Sequence, residues 1–261
     1  MVADRNIRLI IAYDGTDFNG WQRQKHDITI QGEIEKCLAR MTNHEIMLHG
    51  AGRTDAGVHA EGMVANFFTT SRITCSAFLK GLNSMLPYAI RVLAADEVSP
   101  DFHARFSAAG KHYEYHLYTG KVMPPLARLY SLHVPIPLDL PSMHESLKIL
   151  LGTHDFSTFE NAGSREKDKP SRKGAIRTIT TAQIEETTPD HLIVTIIGEG
   201  FLRHMVRNIV GTLLEVGMGK RSIEEFREAL LAKNRNAGGA TAPPHGLKLR
   251  KVLYGDTEQL Q

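Results

Sequence analysis

Apolar residues recur along this chain in two rhythms, every second position and every third or fourth, and the switches between them outline its elements. Ile7 to Tyr13 is a β-branched apolar run that reads as a buried strand, and Asp14-Gly15-Thr16-Asp17 turns the chain after it. Ile30, Ile34, Cys37, Leu38 and Met41 share one helical face, and Thr29 is placed to cap it, so the spacing predicts a helix over 29–41. Glu45 to His49 and Met63 to Phe68 read as strands, the second with Met63, Ala65 and Phe67 on one face. Ser76 to Leu86 is a helix with Phe78, Leu79, Leu82 and Leu86 inward, and Pro87 stops it. Ala89 to Val98 is a further strand.

That order, β-α-β-β-α-β, is the split ferredoxin-like pattern. Ser99-Pro100-Asp101 punctuates the chain, so the expected division is an N-terminal α/β domain over 1–100 and a C-terminal one over 101–261. Beyond it, Gly110 to Tyr118 is a long strand with Tyr113, Tyr115 and Leu117 on one face. Prolines mark an irregular connection from Met123 to Pro141, which opens a helix to Leu151. Thr178 to Glu185 and His191 to Ile197 are strands, Phe201 to Gly217 and Ile223 to Ala232 are helices, and Leu247 to Leu253 is a closing strand. The second half repeats the grammar of the first with insertions.

Composition narrows the picture by exclusion. With 42% hydrophobic and 23% charged residues, the 261-residue chain is ordinary for a globular protein with a sizeable core. A net charge of +2 does not by itself mark a nucleic-acid binder, so any such reading must rest on local patches. The most basic stretch is Gly163 to Arg177, where six basic residues face Glu166 and Asp168; it reads as a loop for phosphates or as a solvated surface loop. Two cysteines form no disulfide framework or zinc spacing, which fits a reducing cytoplasm. The thirteen histidines are scattered without ligand spacing, so no metal is expected. No signal-peptide core and no run long enough to span a membrane are present.

The chemistry concentrates in Gly50-Ala51-Gly52-Arg53-Thr54-Asp55-Ala56-Gly57-Val58-His59-Ala60, a glycine-rich loop between two strands. Loops on a rigid scaffold commonly carry function. Arg53, two residues away, can hold Asp55 ionised, as a carboxylate nucleophile or base requires. The same stretch could also simply close a hairpin. It is not a phosphate-cradling P-loop, because no Gly-Lys-Ser/Thr and no helix follow.

Gly52-Arg53-Thr54-Asp55-Ala56-Gly57-Val58-His59 resembles the signature of the TruA family of tRNA pseudouridine synthases. Tyr13 to Thr16, Gly20 to Gln24, Asp101 to Ala108, Lys111 to Tyr115 and Phe201 to Asn208 also match family motifs, in family order. The resemblance runs from about Ile7 to about Leu253.

It implies two similar ferredoxin-like α/β domains that share an extended mixed, mainly antiparallel sheet with a central cleft. It also implies isomerisation of uridine to pseudouridine in the tRNA anticodon stem-loop, at positions 38, 39 and 40, by a homodimer and without cofactor. In its terms Asp55 is the nucleophile and Arg207 the basic residue that pairs with it. Tyr113 stacks on the target base, Arg53 helps extrude the nucleotide, and Leu247 supplies an apolar pocket wall. His103 and Arg105, in the Asp101 to Ala108 motif, join the substrate-binding residues. His49, before the loop, is more polar than expected there, and its contacts are an open question. From the residues alone Arg207 could be a solvent-side helix arginine and Tyr113 a packed strand aromatic.

Two other classes fit parts of the pattern. A glycoside hydrolase would need a second carboxylate beside Asp55, and near the loop only Glu61 offers one. A catalytically silent RNA-binding protein on the same fold is disfavoured by the presence of Asp55, Tyr113 and Arg207 together.

Overall fold

The computed structural model of the protein describes residues 5–161 and 174–255. The chain divides into two compact units, one running to Ala109 and resumed from Lys248, the other Gly110–Leu247. In the first unit, β1 (Arg5–Tyr13), α1 (Ile30–Thr42), β2 (His49–Gly50), β3 (His59–Thr69), α2 (Cys75–Met85) and β4 (Ile90–Val98) follow the expected order. β4, β1 and β3 lie side by side and antiparallel.

Register explains the core of this unit. Ile7, Leu9 and Ile11 of β1 pair with Phe67, Ala65 and Met63 of β3, so all six share one face. All six are fully buried, and α2 lays Phe78 edge-on against Phe67, ring centroids 5.4 Å apart. α1 adds Ile30, Ile34 and Leu38, likewise buried. Each such side chain contributes roughly 2 kcal/mol of apolar burial. Both helices start where their caps dictate: Thr29 accepts a hydrogen bond from the Gly32 amide and Thr74 from that of Ala77.

Two expectations are corrected here. Glu45 to Leu48 is not a strand; β2 is only His49–Gly50. The Leu48 amide donates to Glu35 Oε1 (3.0 Å) and its carbonyl accepts from Gln31 Nε2 (2.9 Å), so side chains of α1 take the bonds a neighbouring strand would have made. The short β2 pairs with β3 only at Asn66 and Ala65. That leaves the same edge open at His59 and Ala60, where the chain's last strand, β10 (Leu247–Tyr254), pairs parallel. This pairing is why residues from Lys248 onward belong to the first unit rather than to a domain over 101–261. Residues 101–109 also count with the first unit, because Asn6 Nδ2 donates to the Phe102 carbonyl (2.8 Å), the Ala104 amide to Asn66 Oδ1 (2.9 Å) and Tyr254 Oη to the Ala104 carbonyl (2.8 Å).

The second unit contains β5 (Ala108–Tyr118), β6 (Leu132–His133), α3 (Leu140–Lys148), β7 (Gly152–Asp155), β8 (Ile176–Thr188), β9 (His191–Gly198), α4 (Met205–Gly217) and α5 (Ile223–Leu231). Its strands run β5-β9-β8-β7, all antiparallel, with β6 parallel beside β5. Each unit is therefore α/β with a mixed, mainly antiparallel sheet. Tyr113, Tyr115 and Leu117 pair with Ile196, Val194 and Leu192, and this shared face is buried. The brief β6 and β7 lack a readable apolar alternation. The basic stretch from Gly163 lies, as far as Lys173, outside the described residues.

The helix expected from Phe201 starts instead at Met205. His204 holds a left-handed backbone (φ +62°), which no α-helical residue can adopt, so the helix begins after it.

Candidate active site

In the first unit, Asp55 sits half-buried in a loop whose backbone is fixed on both sides. The buried Thr54 before it hydrogen-bonds the Tyr13 hydroxyl, Oη to Oγ1 2.8 Å, and its carbonyl accepts from the Trp21 amide (3.1 Å). After it, the Val58 amide donates to the Asp55 carbonyl (3.2 Å) and Gly57, at φ +75°, donates to the Phe18 carbonyl (3.3 Å). Gly20, at φ +82°, brings the Trp21 segment so close that a Cβ there would stand 2.5 Å from the Thr54 oxygen. Trp21 is buried beneath the loop against Gly50, where any Cβ would press into its indole ring.

The end of the loop is held as firmly. His59 is buried, and its Nδ1 lies 3.1 Å from both the Gly15 amide and Asp14 Oδ1. Asp14 closes its own turn by accepting from the Thr16 amide and hydroxyl. The Tyr13 to Thr16 motif is thus a brace for the Asp55 loop.

Arg53 is exposed, and its guanidinium makes no hydrogen bond or ion pair among the described residues. It is not an ion-pair partner for Asp55 in this structure, which corrects the expectation drawn from their spacing. Its exposure leaves it available to another molecule. Glu61, the second carboxylate considered above, is held by Lys248 (3.5 Å) and by Arg250. Its oxygens are occupied by cations, which disfavours it as the general acid of a glycoside hydrolase.

His49 packs at a tilt against His103, ring centroids 5.1 Å apart, and His103 likewise against Phe106 at 4.3 Å. This answers what His49 contacts, and it joins the root of the Asp55 loop to the segment carrying His103 and Arg105.

In the second unit, Tyr113 is 7% exposed and meets Phe201 edge-on, centroids 5.0 Å apart at 79°. Arg207, on the first turn of α4, is half-buried rather than solvent-side. Its Nε donates to the Ala242 carbonyl (2.8 Å) and its own carbonyl accepts from the Ala242 amide (3.1 Å). Tyr115 donates to the next carbonyl, Pro243 (2.8 Å), and burial pushes its phenol well above the usual range, partly offset by the Arg207 charge. Leu247 is 5% exposed, after Gly246, which has no room for a side chain against the Tyr115 ring.

A network that sequence reading missed anchors Arg207. Asn208, fully buried, donates to the Phe159 carbonyl (2.8 Å) and accepts from Thr241 Oγ1 (2.6 Å) and Arg235 (3.1 Å). Arg235 also donates to the Gly239 carbonyl (2.8 Å), and Gly211 packs directly on Ala240. The run of small residues from Ala237 to Ala242 was the available signal: it lets this segment lie flat on α4. Among the described residues no group of three or more His, Cys, Asp or Glu side chains could hold a metal, and no helix is long and apolar enough to cross a membrane.

A profile of the family described as tRNA pseudouridine synthase matches residues 9–107 and 147–255. The chain belongs to that family. It is 58% identical over 250 residues to "tRNA pseudouridine synthase A 1" of Desulfotalea psychrophila, covering 96% of this chain and 100% of that one. It is 45% identical over 251 residues to "tRNA pseudouridine synthase A" of Acetivibrio thermocellus and 44% over 250 residues to that of Geobacter sulfurreducens, with the same coverage. Within this tRNA pseudouridine synthase family profile, the first matched stretch includes Arg53, Asp55, His103 and Arg105, the second Arg207 and Leu247; Tyr113 lies between the two.

Proposed function

We propose that the chain isomerises uridine to pseudouridine in tRNA, that its targets are positions 38, 39 and 40 of the anticodon stem-loop, and that Asp55 is the nucleophile. Family membership supports the reaction class. The observation that carries the residue assignment is the bracing of Asp55, a half-buried carboxylate between two backbone segments held by Thr54 and Val58. Pre-organised loop geometry is what a nucleophile needs to meet its target without further ordering.

The reaction breaks the C1′–N1 bond of uridine, turns the uracil, and forms C1′–C5. The hydrogen on C5 leaves as a proton and N1 gains one. No electrons are gained or lost, so no cofactor enters this reading. Arg207 is taken as the basic residue of the reaction, on the family resemblance, and the Ala242 carbonyl holds its Nε. Tyr113, steadied by Phe201, stacks on the target base, and Leu247 forms an apolar wall. Arg53, exposed and without a hydrogen bond or ion pair among the described residues, is suited to push into the stem as the nucleotide leaves its stack. A homodimer in the cytoplasm, gripping one tRNA with both subunits, completes the proposal.

The test is tritium release from tRNA labelled at uracil C5, comparing wild type with Asp55→Asn. Release by wild type, with none from a variant that still binds tRNA, supports the assignment. A variant that releases at the wild-type rate removes Asp55 from the chemistry. Mapping the modified positions tests the stem-loop target, and light scattering tests the dimer.

A further inference from the structure

The segment after Phe102 displays an aromatic ring to solvent in a way that packing alone does not explain. Phe102 and Ala104 point inward and are buried, while Phe106 is 78% exposed. A single exposed apolar side chain would need no account. This one, however, is held rigidly. The His103 amide donates to Ser107 Oγ (3.1 Å), the Ser107 amide returns to the His103 carbonyl (2.9 Å), and the Arg105 amide donates to His103 Nδ1 (3.1 Å). Ala104 is pinned between Asn66 and Tyr254. These bonds hold the turn with the Phe106 ring outside.

Behind that ring stand two more. His103 lies 4.3 Å from Phe106 and 5.1 Å from His49, each pair tilted by about 40° (37° and 43°). Burial first, then the nearby His49, push the His103 pKa below its usual value, against a smaller raising effect of a backbone hydrogen bond. The Arg105 guanidinium is 5.9 Å from the Phe106 centroid and makes no hydrogen bond or ion pair among the described residues. The contrast with Tyr88 is informative. That ring is also exposed beside an arginine, but Arg91 spends its guanidinium on the Pro87 and Ile90 carbonyls. At Phe106 a largely exposed ring lies beside a guanidinium that has no hydrogen bond or ion pair among the described residues.

We propose that Phe106, backed by His103 and His49, is a stacking platform for an unstacked nucleobase of the RNA substrate, with Arg105 engaging a neighbouring phosphate. Aromatic faces accept any base, and an adjacent cation tracks the backbone; together they are the usual equipment for single-stranded nucleic acid. The position suits this. His49 opens β2, and six residues later comes Asp55, a span of at most about 20 Å even if fully extended. The platform therefore lies within a few nucleotides of the target uridine. This inference rests on the proposed function, since it takes RNA as the ligand.

The test measures tRNA affinity at several salt concentrations, with pseudouridine formation alongside, for wild type, Phe106→Ala, Phe106→Trp and Arg105→Ala. Because Phe106 is largely exposed, its replacement spares the core, which a thermal melt checks. Phe106→Ala is expected to raise Kd about tenfold with the salt dependence unchanged, and Phe106→Trp to stay within about twofold of wild type. Arg105→Ala is expected to weaken binding and reduce the salt slope by about one. The platform is overturned if Phe106→Ala binds like wild type, or if Phe106→Trp is as weak as Phe106→Ala. If wild type forms pseudouridine while Phe106→Ala binds unchanged, only the platform falls. If wild type neither binds tRNA nor modifies it, the proposed function falls with it.

Discussion

The Tyr13 hydroxyl and the Thr54 hydroxyl, 41 residues apart in sequence, lie 2.8 Å from each other and are both buried. The end of β1 thereby fixes the residue immediately before Asp55. Thr54→Val keeps the shape and removes a hydroxyl; it is expected to cost about 1 kcal/mol of stability. The larger effect should fall on kcat, with KM for tRNA little changed, since the bond orients Asp55 rather than touching RNA. Thr54→Ser should restore kcat. Single-turnover kinetics beside urea unfolding would separate the two effects, and a Thr54→Val enzyme with wild-type kcat would refute the brace.

Gly20 is the second brace. Its φ of +82° is costly for other residues, and a Cβ would collide with the Thr54 carbonyl. Gly20→Ala should therefore destabilise the protein by about 2 kcal/mol and displace the Asp55 loop. A matched loss of activity at temperatures where the variant is still folded is the expected outcome, read by calorimetry and tritium release.

Asn208 predicts a different kind of damage. Asn208→Ala would leave the Phe159 carbonyl and the Arg235 guanidinium each short of a buried partner, at a cost of about 3 kcal/mol. The segment from Ala237 to Ala242 should loosen, and with it the Ala242 carbonyl that holds Arg207. Hydrogen exchange at the Gly239 and Ala242 amides, which donate to Thr212 Oγ1 and the Arg207 carbonyl, should rise well above exchange in β1.

Three histidines give a pH dependence with a defined sign. Burial pushes His103, His112 and His245 below the usual histidine value, most simply at His112, whose Nε2 lies 3.4 Å from Glu114 without forming a hydrogen bond. The unfolded chain binds protons more readily at these sites than the folded one. Their contribution is therefore fully present above about pH 6.5 and is lost as pH falls through the folded-state values. Urea midpoints should decline from pH 7.5 to pH 5.5, and His112→Asn should flatten part of that decline. A midpoint that rises on acidification would contradict the assignment.

Much of this was legible in the chain. Alternation at Ile7, Leu9 and Ile11 and helical spacing at Ile30, Ile34 and Leu38 depend on neighbours a few residues away, so periodicity alone yields the elements and their order. The glycines and Asp55 likewise mark their loop locally. Partners distant in sequence are another matter. Glu45 to Leu48 reads as a strand until Glu35 and Gln31 of α1 claim the Leu48 backbone. The expected helix start at Phe201 ignores the left-handed His204, a torsion that no periodicity reveals. Only the fold returns β10 to the first unit, sets His49 against His103 and His103 against Phe106, leaves Arg53 without an ion-pair partner among the described residues, and ties Arg207 to Ala242. Each of these depends on which groups chain closure brings within hydrogen-bonding or van der Waals reach, and the local pattern of apolar and polar residues carries no record of that distance.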